Sequence, residues 1–412
     1  MTALFPERLA RRARGATLSP IAQASQKAAH LAQSGRRILS LTTGEPDFDT
    51  PEPIKEAARR ALAAGATKYT PTAGTLALRH AVAARVAEDT GLAVGHDEVL
   101  ISNGAKQAIY TAFAATVDEG DAVVIPAPYW PTFPASARIN GATPVIVETT
   151  RATGFKLTPD LLAAALSPRT KWLVLNSPGN PTGALYDDEE IDALARVLRA
   201  HPGVLVLWDQ IYGRIRFQPG PSCPWLRQAP DLRPRTLIID GVSKSHAMTG
   251  WRIGWGVGPA PLIAAMEAVQ SQVSSGPSAV GQAAALAALD PAADVFVDEA
   301  RAVYARRAAR VAAGLAGQAG LVAVAPQGGF FSWVDVTGLL GRRTPEGRRL
   351  DTDQDVADWL LEGHGVAVVA GAAHGQSPAL RLSFATDDAT LDEALARIAA
   401  AVASLLPEED LA

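Results

Sequence analysis

Five short apolar runs in the middle of the chain constrain its fold more than any other feature of the sequence. They are DAVVIP at 121–126, TPVIVE at 143–148, KWLVLNS at 171–177, GVLVLWD at 203–209 and TLIID at 236–240. They lack the polar alternation of a strand with one face in water, so each is predicted to be a strand covered on both faces. Helical patterns separate the runs. This order predicts an α/β fold around a mostly parallel sheet.

The texture of the sequence changes near residue 290. An Ala/Arg-rich helical stretch leads into the strand-like segments GGFFSWVDV, GVAVVAG and ALRLSFA, with a helix near 351–363 and a closing helix. This mixture predicts a smaller α+β domain. The predicted division is an N-terminal arm with part of the small domain at 1–45, a large ligand-binding domain at 46–290 and a small C-terminal domain at 291–412.

Composition and charge argue against several kinds of partner. The chain has 412 residues, 48% of them hydrophobic, and a net charge of −4, which suits a globular protein with a large core. It has no long basic block and no apolar segment long enough to cross a bilayer, so we expect neither a nucleic-acid partner nor a membrane. Its one cysteine, Cys223, excludes an internal disulfide and suits a reducing compartment, which predicts a cytoplasmic protein.

A sixth run, EVLIS at 98–102, is followed by Asn103-Gly104 and a predicted helix. The apolar residues of that helix recur with helical spacing as Ala105, Ala108, Ile109, Ala112 and Phe113. A strand that leads into a helix start offers free backbone N–H groups at a positive helix end, which predicts an anion pocket. The helix dipole disfavours a lysine in the first turn. Lys106 is therefore either a solvated side chain or one that neutralises a bound anion.

Polar side chains follow three of the other predicted strands where they end. Asn180 lies in PGNPTG, Asp209 ends GVLVLWD, and Lys244 lies in GVSKS. Because ligands bind beyond the carboxyl ends of parallel strands, these side chains predict a site at one edge of the sheet. Asp209 either caps a helix, pairs with Arg214 or Arg216, or holds a proton on a ring nitrogen.

Lys244 and Arg252 point to covalent chemistry. Lys244 is either an ordinary surface lysine or, crowded by Arg252 and partly desolvated, an amine nucleophile that forms a Schiff base with an aldehyde. Arg252 has the geometry to clamp a phosphate or a carboxylate. A phosphate pocket, a carboxylate for a ring nitrogen, an amine and an arginine together fit pyridoxal phosphate, which is the predicted cofactor. No metal site is predicted.

Eight motifs occur in order along nearly the whole chain. They are LTTGEPDFDTP (41–51), TKYTPTAGTLALR (67–79), SNGAKQA (102–108), PAPYWPTFP (126–134), NSPGNPTG (176–183), DQIY (209–212), SKSHAMTGWRIGW (243–255) and LRLSFA (380–385). With these motifs at this spacing, the chain resembles the class I/II aminotransferases of fold type I, and most closely their bacterial aspartate aminotransferase branch. The resemblance implies a large domain with a mostly parallel seven-stranded sheet flanked by helices, plus a smaller α+β domain.

The resemblance also implies roles for residues around the cofactor ring. Lys244 forms the Schiff base and then moves a proton as general base and acid. Asp209 pairs with the ring nitrogen, Tyr212 and Asn180 hydrogen-bond the phenolic oxygen, and Trp130 stacks on the ring. The phosphate is held by Gly104, Ala105, Lys106, Ser243 and Arg252. Tyr69 reaches the phosphate of a neighbouring subunit, which implies a homodimer with shared active sites.

The substrate end is implied in the same way. Arg381 grips the α-carboxylate, with Gly44, Trp130 and Asn180 lining the same end, and Phe331 packs at the mouth between the domains. From the residues alone, Arg381 is equally a charge on an exposed strand face, because it alternates with Leu380 and Leu382. The family resemblance favours the binding role.

The side-chain specificity stays open between two classes of amino acid. Many aspartate enzymes use an arginine from the partner subunit, and the corresponding segment here, QSQVSSGPSAVG at 270–281, contains none. In the bacterial branch, a lysine at the Lys106 position acts together with hydroxyl groups of the N-terminal segment. Ser19 is available for this role, whereas Ile21 stands where a threonine is expected. Lys106 and Ser19 favour an acidic side chain, and Ile21 suits an apolar or aromatic one.

The resemblance predicts an aminotransferase that exchanges the amino group of an L-amino acid, aspartate or glutamate favoured, with a 2-oxo acid by a ping-pong mechanism. A second hypothesis keeps the cofactor and changes the reaction to β-elimination, decarboxylation or oxidation. A third is a cofactor-binding regulator without enzymatic activity. The roughly 40 residues before LTTGEPDF are too few for the DNA-binding module that such a regulator needs.

Overall fold

The computed structural model describes residues 8–14 and 18–406. Its strands are β1 (Leu39–Ser40), β2 (Val99–Ser102), β3 (Ala122–Ala127), β4 (Thr143–Glu148), β5 (Thr170–Asn176), β6 (Leu205–Asp209), β7 (Thr236–Gly241), β8 (Gly254–Val257), β9 (Val322–Val324), β10 (Phe331–Asp335), β11 (Val366–Ala367), β12 (Val369–Ala370) and β13 (Ala379–Ser383). Its α-helices are α1 (Arg11–Arg14), α2 (Pro20–Gln33), α3 (Glu52–Ala63), α4 (Leu76–Thr90), α5 (Ala105–Thr116), α6 (Thr132–Ile139), α7 (Pro159–Ala165), α8 (Asp188–Arg199), α9 (Pro224–Gln228), α10 (Ala260–Val273), α11 (Ala279–Ala288), α12 (Asp294–Leu315), α13 (Asp353–His364) and α14 (Asp388–Ser404).

A seven-stranded sheet forms the centre of the molecule, in the order β2-β8-β7-β6-β5-β3-β4. Adjacent strands are parallel except around β8, which runs antiparallel to both of its neighbours. The five apolar runs are strands β3 to β7 of this sheet, and EVLIS supplies β2. The predicted α/β fold with a mostly parallel seven-stranded sheet is confirmed.

Both faces of this sheet are covered, which explains the continuous apolar runs. In β5, Trp172 and Val174 belong to one hydrophobic cluster, whereas Leu173 and Leu175 belong to another. Consecutive side chains of a strand point to opposite faces, so β5 contributes to two cores. Burying each such side chain contributes roughly 1.5–3 kcal/mol to folding. A polar alternation would sacrifice one of these cores.

A second sheet is antiparallel and smaller, in the order β12-β13-β10-β9. It shares a separate hydrophobic cluster with α12, α13 and α14. The segment GVAVVAG, predicted as one strand, is divided at Val368: β11 pairs with β1 in a parallel ladder, whereas β12 joins the antiparallel sheet. The β1–β11 ladder ties the N-terminal segment to this second unit. The exact boundaries at 45/46 and 290/291 stay a prediction.

Two negative findings apply to the described part of the chain. No single helix there is long and apolar enough to cross a membrane, although Ala279–Ala288 and Pro291–Leu315, bent by 75°, meet the length and composition limits as a pair. Within the same residues, no group of three or more His, Cys, Asp or Glu side chains is placed to hold a metal ion.

The amino end of α5 packs directly against β8. A Cβ atom on Gly254 would lie 2.3 Å from the backbone nitrogen of Ala105 and 2.8 Å from the carbonyl carbon of Gly104. Backbone atoms in regular elements do not yield by such amounts. A residue without a side chain at position 254 is therefore what brings the helix start to the sheet edge.

We predict that Gly254→Ala lowers the free energy of unfolding by about 1–3 kcal/mol, because the added methyl group overpacks two backbone segments. Urea denaturation followed by circular dichroism measures this. Gly203→Ala is the control, because a Cβ atom there meets nothing within 4 Å. Equal stability of the two variants would contradict the close contact.

Candidate active site

Lys244 follows β7 and lies among small residues at the sheet edge. Its Nζ donates a hydrogen bond to the carbonyl oxygen of Gly44. Burial lowers the pKa of Lys244 from 10.5 to about 8; Glu45 opposes this shift, while Arg252 and Arg381 add to it. About a tenth of the amine is therefore unprotonated at pH 7, far more than for a lysine with an unshifted pKa, as a lysine nucleophile requires. The reading of Lys244 as an ordinary surface lysine is wrong.

Asp209 is the last residue of β6 and is 1% exposed. One carboxylate oxygen accepts a hydrogen bond from the Ile211 N–H at 3.0 Å, and burial raises the pKa of Asp209 to about 7. The predicted alternative of a salt bridge to Arg214 or Arg216 is wrong. Arg214 pairs with Asp294 at 2.6 Å, and the Arg216 guanidinium donates to backbone carbonyls. The buried carboxylate can therefore still accept a hydrogen bond from a cationic partner.

Gln210 and Asp240 form a part-buried contact near Asp209. Gln210 Nε2 donates to Asp240 Oδ2 at 3.1 Å, and the backbone N–H of Gly241 donates to Asp240 Oδ1 at 2.7 Å. Burial raises the pKa of Asp240 to about 7. Asp240 is not predicted from the sequence, because nothing in its local pattern distinguishes it from a strand-end loop residue.

The predicted anion pocket has the geometry of a cup. Gly104 is the N-cap of α5 with φ +84°, and a Cβ atom there would lie 2.4 Å from Arg252 Nη2. The Arg252 guanidinium donates to the carbonyls of Asn103 at 3.2 Å and Thr249 at 2.9 Å. The backbone of Ala105 begins the helix beside it. A guanidinium next to free helix N–H groups suits a phosphate. Ser243, 6% exposed, immediately precedes Lys244.

Arg381 in β13 is buried, with 1% exposure, so its reading as a charge on an exposed strand face is wrong. It donates from Nη1 to Asn180 Oδ1 at 3.2 Å and from Nη2 to the Thr42 carbonyl at 2.5 Å. Its Nε has no hydrogen-bond partner among the described residues. Burial lowers the pKa of Arg381 to about 10. A buried guanidinium without a carboxylate partner is suited to pair with an anionic ligand.

Phe331 forms the floor of this end of the site. The Arg381 guanidinium lies 4.3 Å from the centroid of the Phe331 ring, and Tyr212 meets the same ring edge-on at 5.9 Å. At 1% exposure, Phe331 is buried between Arg381 and Tyr212, and its place at the mouth between the domains stays a prediction. It also underlies Gly44, since a Cβ atom there would lie 3.3 Å from the ring. Burial raises the pKa of Tyr212, so its phenol stays protonated.

Trp130 and Lys106 lie together near the cup. Lys106 Nζ is 5.0 Å from the centroid of a Trp130 ring, and Trp130 packs edge-on against Phe133 at 5.6 Å. Partial desolvation, together with Arg252, lowers the pKa of Lys106. The Trp130 side chain is half-buried, which leaves part of it accessible to a ligand.

An open cavity of about 1280 Å³ extends outward from this cup, and its wall includes Lys106, Arg252, Ser19 and Arg12. Ser19 has a second task, since its hydroxyl oxygen caps α2 by accepting from the Ala22 N–H at 3.2 Å. Arg12 is a wall residue without a role predicted from the sequence. No motif marks it among the neighbouring arginines.

Two predicted residues are not brought into the group. Ile21 lies in α2, half-buried, and is absent from the cavity wall, whereas Tyr69 is 93% exposed. Because Tyr69 is so exposed, its side chain does not reach the site of its own chain. Its predicted role needs a second subunit.

We predict that reductive labelling of Lys244 by acetaldehyde in the cofactor-free protein rises through pH 8 and then levels off. Below its pKa of about 8 the ammonium is unreactive, and above it the free amine is fully formed. Peptide mass spectrometry after labelling at pH 6 to 11 gives the profile, with the remaining labelled lysines as the internal comparison. A rate that keeps rising beyond pH 10 would contradict the lowered pKa.

Comparisons with known proteins identify the family of the chain. The aminotransferase class I and II family model matches residues 36–398. An aspartate/prephenate aminotransferase from Cereibacter sphaeroides is 44% identical over 381 residues, covering 92% of this chain and 95% of its own.

Solved structures give the same result. The aspartate aminotransferase of Rhizobium meliloti superposes with a TM-score of 0.93 at 42% identity, covering 97% of this chain and all of its own. That of Thermus thermophilus with maleate gives 0.88 at 40% identity, covering 95% and 99%. With the family model spanning most of its length, this chain belongs to the class I and II aminotransferases of fold type I and is a transaminase.

Proposed function

We propose that this aminotransferase uses pyridoxal phosphate and exchanges the amino group between an L-amino acid, with aspartate or glutamate favoured, and a 2-oxo acid by a ping-pong mechanism. The observation that carries the proposal is the juxtaposition of a desolvated amine at Lys244, a buried carboxyl group at Asp209 and two anion receptors at Arg252 and Arg381.

The residues present fit this cofactor on four counts. Lys244 has a free-amine fraction for the aldehyde, and Asp209 is buried with an oxygen available to a ring N–H. The start of α5 with Arg252 forms a phosphate cup, and Trp130 offers a partly open aromatic ring. When bound, pyridoxal phosphate supplies an electron sink that stabilises negative charge on the substrate Cα.

The chain's own residues supply proton transfer and orientation. Lys244 Nζ, with a pKa of about 8, would accept the proton from the substrate Cα as general base and donate it again as general acid. Asp209 keeps the ring nitrogen protonated. Tyr212 and Asn180 donate to the phenolic oxygen; the raised pKa of the Tyr212 phenol keeps it a donor.

Arg252 and Arg381 bind different anions: Arg252 the phosphate of the cofactor, and Arg381 the α-carboxylate of the substrate. Arg252 belongs to the phosphate cup, and Arg381 is held by Asn180 and Thr42 with its Nε still without a partner. A bidentate carboxylate–guanidinium pair at Arg381 fixes which substituent of Cα faces Lys244. The reacting C–H bond is thereby directed at the base.

The acidic preference is supported by the cations on the open side of the site. Lys106 lies 5.0 Å from the Trp130 ring and borders the cavity. The Thermus thermophilus relative was solved with maleate, a dicarboxylate. Several relatives bear the name aspartate/prephenate aminotransferase, so prephenate belongs among the oxo acids to be tested.

A homodimer in the cytoplasm completes the proposal. Tyr69 is 93% exposed and is proposed to reach the phosphate bound by the partner subunit. Leu76 and Val273 are 53% and 57% exposed, which leaves apolar surface for a subunit contact. The large and small domains are proposed to divide at 45/46 and 290/291.

The test is a titration of the purified, cofactor-loaded protein with single amino acids and no oxo acid, followed by absorbance. We expect aspartate and glutamate to convert the aldehyde form of the cofactor fully to its amine form. Conversion by aromatic or aliphatic amino acids alone would move the substrate class. Release of ammonia with recovery of the aldehyde form would instead favour the elimination hypothesis, and no visible band with added pyridoxal phosphate would contradict the cofactor.

A second prediction addresses Lys106. With the cofactor saturating, Lys106→Met is expected to lower kcat/KM for aspartate by about 10- to 100-fold, the loss of one charge-assisted contact, and for phenylalanine by less than about 3-fold. Lys171→Met is the matched control. Lys171 lies near the amino end of β5, whereas the site lies beyond the carboxyl ends of the strands. Equal losses for both substrates would contradict a role in side-chain recognition.

A further inference from the structure

A loop between β12 and β13 reaches across to the segment that carries Trp130. The backbone N–H of Tyr129 donates to the His374 carbonyl at 3.0 Å, and His374 Nδ1 lies 2.9 Å from the Tyr129 carbonyl oxygen. A carbonyl oxygen only accepts, so Nδ1 carries the hydrogen and donates. Two hydrogen bonds in opposite directions thus join His374 to the residue before Trp130.

Packing strengthens this contact. Gly375 has φ +75°, and a Cβ atom there would lie 2.4 Å from the Tyr129 ring, so the ring rests on a bare glycine. Gln376 Nε2 donates to the Thr149 carbonyl at 2.5 Å. Three consecutive residues of the loop therefore contact the β3 and β4 ends of the large sheet.

The other side of the loop is tied to Arg381. Asp353, 1% exposed, accepts from the N–H groups of Ala372 at 3.0 Å and Ala379 at 3.2 Å, which closes the base of the loop. The His374 ring packs edge-on against Trp333 at 5.8 Å. Trp333 is directly opposite Arg381 in the β10–β13 ladder, so their side chains lie on the same face.

The chemistry of the imidazole shows which of its atoms matters. His374 is fully buried, and its Nε2 has no hydrogen-bond partner among the described residues. A buried acceptor without a partner is costly, and an apolar ring would fill the same space without that cost. The advantage of histidine here is therefore the Nδ1–H donor that an apolar ring lacks.

We propose that His374 is a positioning residue that keeps the Trp130 segment in register with the strand carrying Arg381. Through Tyr129 it fixes the ring proposed to stack on the cofactor. Through Trp333 and the loop base it fixes the guanidinium proposed to hold the α-carboxylate. This inference rests on the proposed function for the roles of Trp130 and Arg381, whereas the His374–Tyr129 contact itself does not.

The test compares three variants that differ in where a donor is placed. His374→Asn keeps a donor near the Nδ1 position, His374→Gln moves it toward the Nε2 position, and His374→Phe keeps the ring and removes it. His364→Phe is the matched control, because His364 makes a similar edge-on contact with Trp359 at 5.0 Å. The first readout is hydrogen exchange of the peptide containing Tyr129 in the cofactor-free protein. The second is KM and kcat for the amino acid that converts the wild type.

We expect His374→Phe and His374→Gln to speed exchange at Tyr129 and to raise KM about tenfold, the equivalent of one lost hydrogen bond, with kcat changed less. His374→Asn and His364→Phe should stay close to wild type in both readouts. Wild-type behaviour of all variants, or equal losses in Asn, Gln and Phe, would overturn the proposal. If His374→Phe does not fold, the Asn and Gln pair decides. Failure of the wild type to transaminate would refute the proposed function, while exchange at Tyr129 would still test the contact.

Discussion

The arrangement of the site depends on the hydrogen bonds of the buried Arg381 guanidinium. It projects from the small antiparallel sheet, yet its hydrogen bonds go to Asn180, after β5 of the large sheet, and to Thr42 in the N-terminal segment. One side chain therefore ties three parts of the chain together at the site. Burying a cation without a carboxylate is unfavourable. We propose that a substrate carboxylate supplies the missing anionic partner.

The same excess of positive charge over negative charge determines the electrostatics of the site. Burial is the main cause that lowers the pKa of Lys244 to about 8, and the positive charges of Arg252 and Arg381 add to this shift. The acid at Asp209 is shifted the other way, to about 7, by burial. Two titratable groups whose pKa values burial shifts in opposite directions, close together at one edge of a sheet, are typical of a functional site. The positive excess suits reactants that bring a phosphate and carboxylates.

The sequence predicted the fold because the fold follows from local patterns, whereas the roles of most site residues were implied by the family resemblance. Continuous apolar runs indicate strands covered on both faces, and parallel strands bring their following residues, such as Asp209, to one edge. Contacts that depend on how distant segments meet were beyond such patterns. The burial of Phe331 and the contact of Asp240 with Gln210 each depend on such meetings. His374 escaped notice because its partner is a backbone carbonyl, which no sequence motif marks.

The proposed function depends above all on Lys244, which follows β7, as the residue that binds the cofactor covalently. The most direct measurement is borohydride reduction of the cofactor-loaded protein, followed by proteolysis and mass spectrometry of the modified peptide. The account predicts one pyridoxyl phosphate group per chain, attached to Lys244. Attachment to another lysine, or no stable modification after reduction, would contradict it.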